Sequence, residues 1–463
     1  MTRRSSRREF VKRSALAGLG FWTLGDTTSV GYAKRPNEQL QFACIGVGGK
    51  GDSDSSHVGE FGKVVAICDI DENTLANRAK KYPDAVKFHD FRELLDKMGD
   101  KIDAVTVSTP DHTHAVAAVR AMRLKKHVYV QKPLTWSVQE ARLMRNVAKE
   151  MGVATQMGNQ GTASDGLRRG VEIVQSGAIG PIKEVHIWTN RPLWPQAPEV
   201  TSRGEASEAP RHVHWNDWLG PAPERPYVAI IPGVGKQPYH PHNWRGWRDF
   251  GTGALGDMAC HTTNLAFQSL DLGLPVSVRA ESSEVNPETY QQWATITYQF
   301  AGRGKLPPVT LVWREGNFKN GKKTDPQNLP PRELFHGEGI SSSGSLFVGD
   351  QGTIYSPGDN GTNVLLLPKD KFKDYKDPEK RLHRWSKDDD LAMKEEWVRA
   401  IRGGEPAMSN FQYAAVLTET LLLGNAAVAA GKELKYDGSQ GKFTNVEEAN
   451  KLLGRTPRKG WEI

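Results

Sequence analysis

The chain has 463 residues, of which 38% are hydrophobic, 25% charged and 8% aromatic, enough to bury two ordinary domain cores and too much for a short peptide-like module. Its 46 Gly and 27 Pro are scattered among aliphatic segments, which excludes collagen-like and low-complexity classes. The formal charge of +7 is concentrated at the start: Arg3, Arg4, Arg7, Arg8, Lys12 and Arg13 against Glu9 and Asp26 leave +3 beyond residue 33, which is no nucleic-acid footprint. Three cysteines, Cys44, Cys68 and Cys260, cannot form a disulfide framework, and none makes a close metal-type pair with another, so the fold must rely on its core.

Ser6-Arg7-Arg8-Glu9-Phe10-Val11-Lys12 precedes a modestly apolar run at 15–24 and the small-residue succession Gly31-Tyr32-Ala33. This resembles a twin-arginine export signal over residues 1–33, which implies a mature protein beginning near Lys34, export in folded form by the twin-arginine machinery, and a periplasmic or other extracytoplasmic location. The apolar run is too short and Gly-rich to span a bilayer, and no other segment reaches about 18 uninterrupted apolar residues, so the mature protein is expected to have no membrane span.

Residues 41–47 are a short apolar run ending in glycine, as a buried strand of a parallel sheet does. They lead into Gly46-Val47-Gly48-Gly49-Lys50-Gly51. In such a loop the first glycine permits the tight turn, the second the close approach of backbone to pyrophosphate, and the third close packing of helix on strand. A second buried strand, 63–68, ends at Asp69, where an acid accepts hydrogen bonds from a ribose 2′-hydroxyl and meets a 2′-phosphate as a like charge, favouring NAD over NADP. Helices over 72–81 and 91–98, a strand over 104–108, a helix over 115–122, a strand over 128–130 and a helix over 138–151 complete a doubly wound parallel pattern. Its polar loops, Thr109-Pro110-Asp111-His112-Thr113-His114 and Gln131-Lys132-Pro133, fall at the carboxyl ends of strands, where ligands bind. His112 and His114 have two readings of equal standing, cofactor contacts or loop histidines that cap a helix.

The glycine loop, Thr109-Pro110-Asp111-His112, Lys132-Pro133 and the later Asp257-Met258-Ala259-Cys260-His261 together resemble the Gfo/Idh/MocA oxidoreductases, over about residues 41–431. The resemblance implies an NAD-binding Rossmann domain (38–155) followed by a substrate domain (156–435) of α+β type with an open, largely antiparallel sheet. It implies that Lys132, Asp257 and His261 converge on the nicotinamide and the sugar, and that Thr109, Pro110, His112, His114, Gln131 and Lys132 join Gly46, Gly48, Gly49, Gly51 and Asp69 around the cofactor. One departure stands out: the family's Glu before the lysine is Gln131, a neutral amide that leaves Lys132 without an adjacent carboxylate. Relatives with such a sheet often pair it face to face, which implies a homo-oligomer.

In the second half there is a helix over 166–176 and a strand over 183–189 that alternates as a half-buried strand does, and strand candidates over 276–281, 294–300, 309–313 and 346–349 suggest an open, largely antiparallel sheet. Trp215, Trp218, Tyr239, His240, His242, Trp244, Arg245 and Trp247 are dense enough to line a sugar site or to fill an irregular core, with Trp244 and Arg245 the candidate substrate contacts beside Asp257 and His261. Asp257 and His261 are four apart and share a face if 256–270 is one helix, where the acid can fix the tautomer of a histidine base. A metal is not expected, since these groups lack compact ligand spacing, and Cys260 is expected to pack as a small apolar residue. Helices over 388–402 and 414–430 close the domain, and 436–463 is a tail of little periodicity.

Three functions compete at this stage. The first is an exported NAD-dependent dehydrogenase acting on a ring hydroxyl of a sugar, glycoside or polyol. The second is a glycoside-cleaving enzyme working by transient oxidation, elimination and re-reduction, since the resemblance extends to NAD-dependent glycosidases. The third is a sugar-binding protein that keeps the fold without the chemistry, to which only Gln131 points.

Overall fold

The computed structural model describes residues 39–463 except 198–199, 201, 232–234, 317, 320–321, 324–328 and 386–388. The expected export signal lies outside the described residues. Six parallel strands open the fold: β1 (Leu40–Ile45), β2 (Gly62–Cys68), β3 (Val86–Phe88), β4 (Ala104–Val107), β5 (His127–Val130) and β6 (Thr155–Met157), in the order β3-β2-β1-β4-β5-β6. The order reverses beside β1, which opens a crevice at the strands' carboxyl ends. Helices α1 (Lys50–Val58), α2 (Glu72–Ala79), α3 (Phe91–Met98), α4 (Asp111–Arg123) and α5 (Val138–Met151) connect them. Their starts are written locally: Asp71 accepts from Asn73 N and Thr74 N to cap α2, and Ser137 with Glu140 forms a reciprocal capping box on α5.

After α6 (Asp165–Gln175) the chain builds a nine-stranded sheet. Its members are β7 (Ile182–Trp188), β8 (Ser277–Ser282), β9 (Ala294–Phe300), β10 (Val309–Glu315), β11 (Gly344–Gly349), β12 (Gly352–Pro357), β13 (Leu365–Leu367), β14 (Leu434–Asp437) and β15 (Lys442–Phe443), ordered β13-β12-β11-β7-β10-β9-β8-β14-β15. All pairs are antiparallel except β7 with β10, so the sheet is mixed. Between β7 and β8 a long excursion carries α7 (Trp215–Leu219), α8 (Gly253–Thr262) and α9 (Asn264–Leu270). The single helix expected over 256–270 is therefore two, meeting at Thr263. Thr262 Oγ1 donates back to Met258 O at 3.2 Å, the kind of side-chain bond that bends a helix, next to a second β-branched residue.

Two more helices, α10 (Asp389–Ile401) and α11 (Phe411–Ala430), return to the Rossmann half. α11 is long and apolar enough to cross a membrane by length and composition, with mean hydropathy 1.4, yet 72% of that stretch is buried against protein. It packs on α5, α8 and β8, and Arg142 of α5 pairs with fully buried Glu419 of α11 at 2.7 Å. One apolar cluster consequently runs from Val105 and Val130 of the first sheet to Ile296 and Leu421 of the second part.

Residues 436–463 are not a loose tail. Tyr436 lies in β14, which pairs with β8, and Trp461 packs edge-on to Phe91 of α3 under the guanidinium of Arg92, 3.9 Å from its ring. Arg455 donates to Asp249 O at 2.7 Å. Sequence periodicity missed this segment because irregular backbone and single aromatic anchors hold it.

Candidate active site

The glycine loop is shaped by two left-handed residues, Gly46 at φ 76° and Gly49 at φ 52°. A Cβ on Gly46 would meet Ser108 O at 2.6 Å, and one on Gly51 would meet Gly46 O at 2.0 Å, so neither position tolerates a side chain. Gly46, Gly48 and Gly49 line a cavity of about 700 Å³. Gly51 is instead buried under the loop, where its lack of a side chain lets α1 approach β1. Asp69, at the end of β2, also lines the cavity; its carboxylate accepts from Val47 N at 2.9 Å and Asp71 N at 3.0 Å. Burial raises its pKa, against these two bonds and the nearby His240. The loop's bare backbone, the N-terminus of α1 and the acid beyond β2 fit the pyrophosphate and ribose of a dinucleotide.

Thr109 and Pro110, after β4, line the same cavity. His112 and His114 are not among its lining residues, and they lie within α4 rather than in a loop. Both are fully buried on α4: His112 Nε2 donates to Trp218 O at 2.8 Å, while the two nitrogens of His114 lie 2.8 Å from Pro133 O and Thr109 O, to one of which the neutral ring donates. They tie the loops after β4 and β5 together and join α4 to α7. Burial holds both neutral, with pKa values of about 3 and about 4.

At the far end, Lys132 Nζ donates to both Asp257 O and Asp257 Oδ1 at 2.8 Å, and Arg245 Nε donates to the same Oδ1 at 3.2 Å. Burial pushes the Asp257 carboxyl up, but the two cations outweigh it and hold it well below the usual range. This corrects two expectations. Lys132 does have a carboxylate partner, supplied by α8 rather than by the residue before it, and Asp257 serves Lys132 and Arg245 instead of orienting His261. His261, one turn further along α8, is 7% exposed, and its buried Nδ1 has no hydrogen-bond partner among the described residues. Burial, then the charge of Lys132, lowers its pKa to about 3, so the imidazole is neutral; neither His261 nor Asp257 is among the residues lining the cavity. Lys132, Trp244 and Arg245 line the cavity; the Arg245 guanidinium lies 4.4 Å over the Trp244 ring. Most of the other aromatics are core: Trp247 and Tyr239 are each 1% exposed. Cys260 is buried, its thiol donating to Gly256 O at 3.3 Å and pushed up to about 12 by burial.

Sequence reasoning missed the polar floor beneath the loop. Gln131 Nε2 donates to Asp54 Oδ2 at 2.7 Å, and Asp54 Oδ1 is held by Lys50 at 3.0 Å and Lys394 at 2.6 Å. Burial raises the Asp54 carboxyl, while Lys394 and then Lys50 more than reverse it. With two ammonium groups already on Asp54, an amide at 131 adds a donor where a glutamate would add a repelling charge. The available signal was the i,i+4 pairs Lys50/Asp54 and Asp390/Lys394, one on each of two helices. Asp111 was also passed over: its Oδ2 accepts from Thr252 Oγ1 at 2.6 Å, at the start of α8, and burial raises its pKa to about 7.

A parallel sheet with a glycine loop, a ribose-side acid and a lysine at the carboxyl end of β5 defines a dinucleotide-binding protein of the α/β class. The chain belongs to the Gfo/Idh/MocA oxidoreductase family. Residues 40–159 match that family's NAD-binding Rossmann fold and 170–307 its C-terminal alpha/beta domain, together more than half of the chain. Among curated relatives, a glycosyl hydrolase family 109 protein of Solibacter usitatus is 30% identical over 163 residues, 32% of this chain and 37% of the relative. A levoglucosan dehydrogenase of Pseudarthrobacter phenanthrenivorans is 22% identical over 201 residues, 43% and 40% of the two chains. The chain thus matches well under half the length of either. A solved WlbA dehydrogenase from Bordetella pertussis, in complex with NADH and UDP-GlcNAcA, shares the fold with TM-score 0.58 at 15% identity, covering 86% of this chain and 99% of its own.

Proposed function

We propose that this NAD-binding oxidoreductase is an exported dehydrogenase acting on a ring hydroxyl of a sugar, glycoside or related polyol. The observation that carries the reading is the Lys132–Asp257–Arg245 cluster at one end of a cavity whose other end is the glycine loop and Asp69. NAD, when bound, supplies the acceptor for a hydride from the carbinol carbon. The protein must then take the hydroxyl proton and stabilise the oxygen as it becomes negative. Lys132 and Arg245 place two cations at that end against one carboxylate, so net positive charge faces a developing alkoxide. In this reading His261, one turn beyond Asp257 on α8 and kept neutral by burial, is the proton acceptor, and Lys132, which lines the cavity, is its alternative. Trp244 offers an apolar face to the C–H side of a ring.

A second reading, glycoside cleavage through transient oxidation, elimination and re-reduction, is supported by the likeness to the glycosyl hydrolase family 109 protein. One experiment separates them. Protein loaded with NAD is incubated with a panel of sugars and glycosides, and ketosugar and freed aglycone are assayed separately. Ketosugar without aglycone supports the dehydrogenase; aglycone release with no net NADH supports cleavage; neither product from any member of the panel removes both. The export part rests on Arg7-Arg8 and the run to Ala33. Replacing both arginines with Lys should trap precursor in the cytoplasm, and undiminished export of that variant would remove this part of the reading.

A further inference from the structure

Two cations share one oxygen at the reacting end of the cavity. Lys132 Nζ donates to Asp257 Oδ1 at 2.8 Å and Arg245 Nε donates to the same atom at 3.2 Å. The side chains of Lys132, Arg245 and Asp257 are only 18%, 24% and 14% exposed, so water screens these charges weakly. A further carboxyl that acts on this group, Asp111, offsets the cations only in part: it is 3% exposed, accepts from Thr252 Oγ1 at 2.6 Å, and is raised by burial to about 7. His261, kept neutral by burial, adds no charge. A net positive charge therefore stands at this end before any substrate enters.

Arg245 is held in place as well as charged. Its guanidinium lies 4.4 Å over the Trp244 ring, Nε is committed to Asp257, and Nη1 donates to His242 O at 3.0 Å. Its other terminal nitrogen, Nη2, makes no hydrogen bond among the described residues, although Arg245 lines the cavity. A guanidinium fixed by its other contacts, with N–H groups left over, binds a carboxylate at little further cost in side-chain freedom. A sugar hydroxyl could accept from the same nitrogen but would leave the charge unanswered. Lys132 gives two of its three N–H groups to Asp257 O and Oδ1, which leaves the third for a hydroxyl. We propose that the substrate is an acidic sugar, a uronic acid or its glycoside, whose carboxylate is bound by Arg245 while Lys132 faces the hydroxyl to be oxidised. The inference rests on the carbohydrate dehydrogenase reading and names the substrate class of that site.

The test pairs sugars that differ only at the acid group: glucose with glucuronate, galactose with galacturonate, and the methyl glycosides of each. Two quantities are read on the full chain, ketosugar formed by NAD-loaded protein and calorimetric affinity for NADH-loaded protein, in which oxidation cannot run. The expected result is a preference of at least about tenfold for the acid in one or more pairs, by both measures, which a folded Arg245→Gln variant reduces at least about tenfold. The wild-type ratio needs no variant. Equal affinities in every pair, or binding of neither member, overturn the inference, and so does an acid preference undiminished in folded Arg245→Gln. Ketosugar formed equally well from neutral sugars leaves the dehydrogenase reading standing without this inference. Acid-selective binding without ketosugar keeps the carboxylate site and removes the dehydrogenase reading.

Discussion

Lys132 reaches two oxygens of one residue, the main-chain carbonyl and the carboxylate of Asp257, so its ammonium is fixed in position as well as charged. That double grip makes the lysine a local clamp between β5 and α8, and its loss does more than remove one charge. His261→Ala is expected to lose about 10²–10⁴-fold in kcat/KM on the best substrate, the usual range for a general base, while NAD binding stays within a few-fold of wild type. Lys132→Ala should do at least comparable damage, because it removes a cation from the reacting end and loosens Asp257. Steady-state kinetics with titration calorimetry of NAD checks both, and near wild-type turnover by His261→Ala would move the chemistry elsewhere. At the other end of the cavity Asp69 should favour NAD over NADP, since Ile70, Asp71 and Thr74 beside it bring no Lys or Arg to a 2′-phosphate. Calorimetry of both nucleotides should show a clear NAD preference that Asp69→Ala narrows; equal affinities in the wild type would sink this reading of the loop.

Helix α10 shows how an element far away in sequence completes a local motif. Its Lys394 is fully buried between Asp54 of α1, at 2.6 Å, and Asp390 of its own preceding turn, at 2.7 Å, with the ammonium 4.5 Å from the Tyr129 ring centroid. Lys50, inside the glycine loop, reaches Asp390 at 2.5 Å, so the loop, α1 and α10 share one ionic cluster. Buried clusters of this kind stabilise little as a whole, but removing one member strands the others in a poor solvent. Lys394→Met is expected to cost about 3–5 kcal/mol, the usual penalty for breaking a buried pair, measured by denaturant unfolding. A loss below about 1 kcal/mol would show that water or Lys50 replaces it readily.

Across the described residues of the whole molecule, the histidines pushed furthest down, mainly by burial, are His112, His186 and His261 at about 3 and His114 and His127 at about 4; burial lowers His242 as well. Unfolded, each would take up a proton near its ordinary 6.5, so this contribution to stability is complete above that pH and is lost as pH falls from 6.5 towards 4. Asp111 and Glu315, raised by burial to about 7, act the opposite way, because the folded state keeps their protons over the same range. Burial raises Asp69, Glu140 and Asp217 in the same sense, but the carboxyls that, despite burial, are held down by cations, Asp54, Asp257 and Asp390 among them, side with the histidines, so the unfolded state binds more protons and stability should fall on acidification. Calorimetric melting temperatures are expected to decline steadily from pH 6.5 to 4.5; a constant or rising value would show that the buried histidines find partners as they charge.

The strand–loop–helix grammar of the first half was legible because it is local. Apolar runs of parallel strands, Gly46 to Gly51 and Asp69 at the next strand end are set by backbone sterics and by strands buried on both faces, and these act within a few residues. The DxxxH spacing likewise placed Asp257 and His261 one turn apart on α8, because helical periodicity is local too. Which atoms those groups touch was not legible. That Asp257 turns to Lys132 and Arg245, that His112 and His114 point into the interior, and that Gln131 serves Asp54 all depend on residues tens to hundreds of positions away. The sequence by itself determined the family of elements and the chemistry available at their ends. Only the tertiary structure decided the pairing of charges, because burial is a property of the assembled fold, and burial makes each carboxylate take the nearest cation rather than the nearest neighbour in the chain.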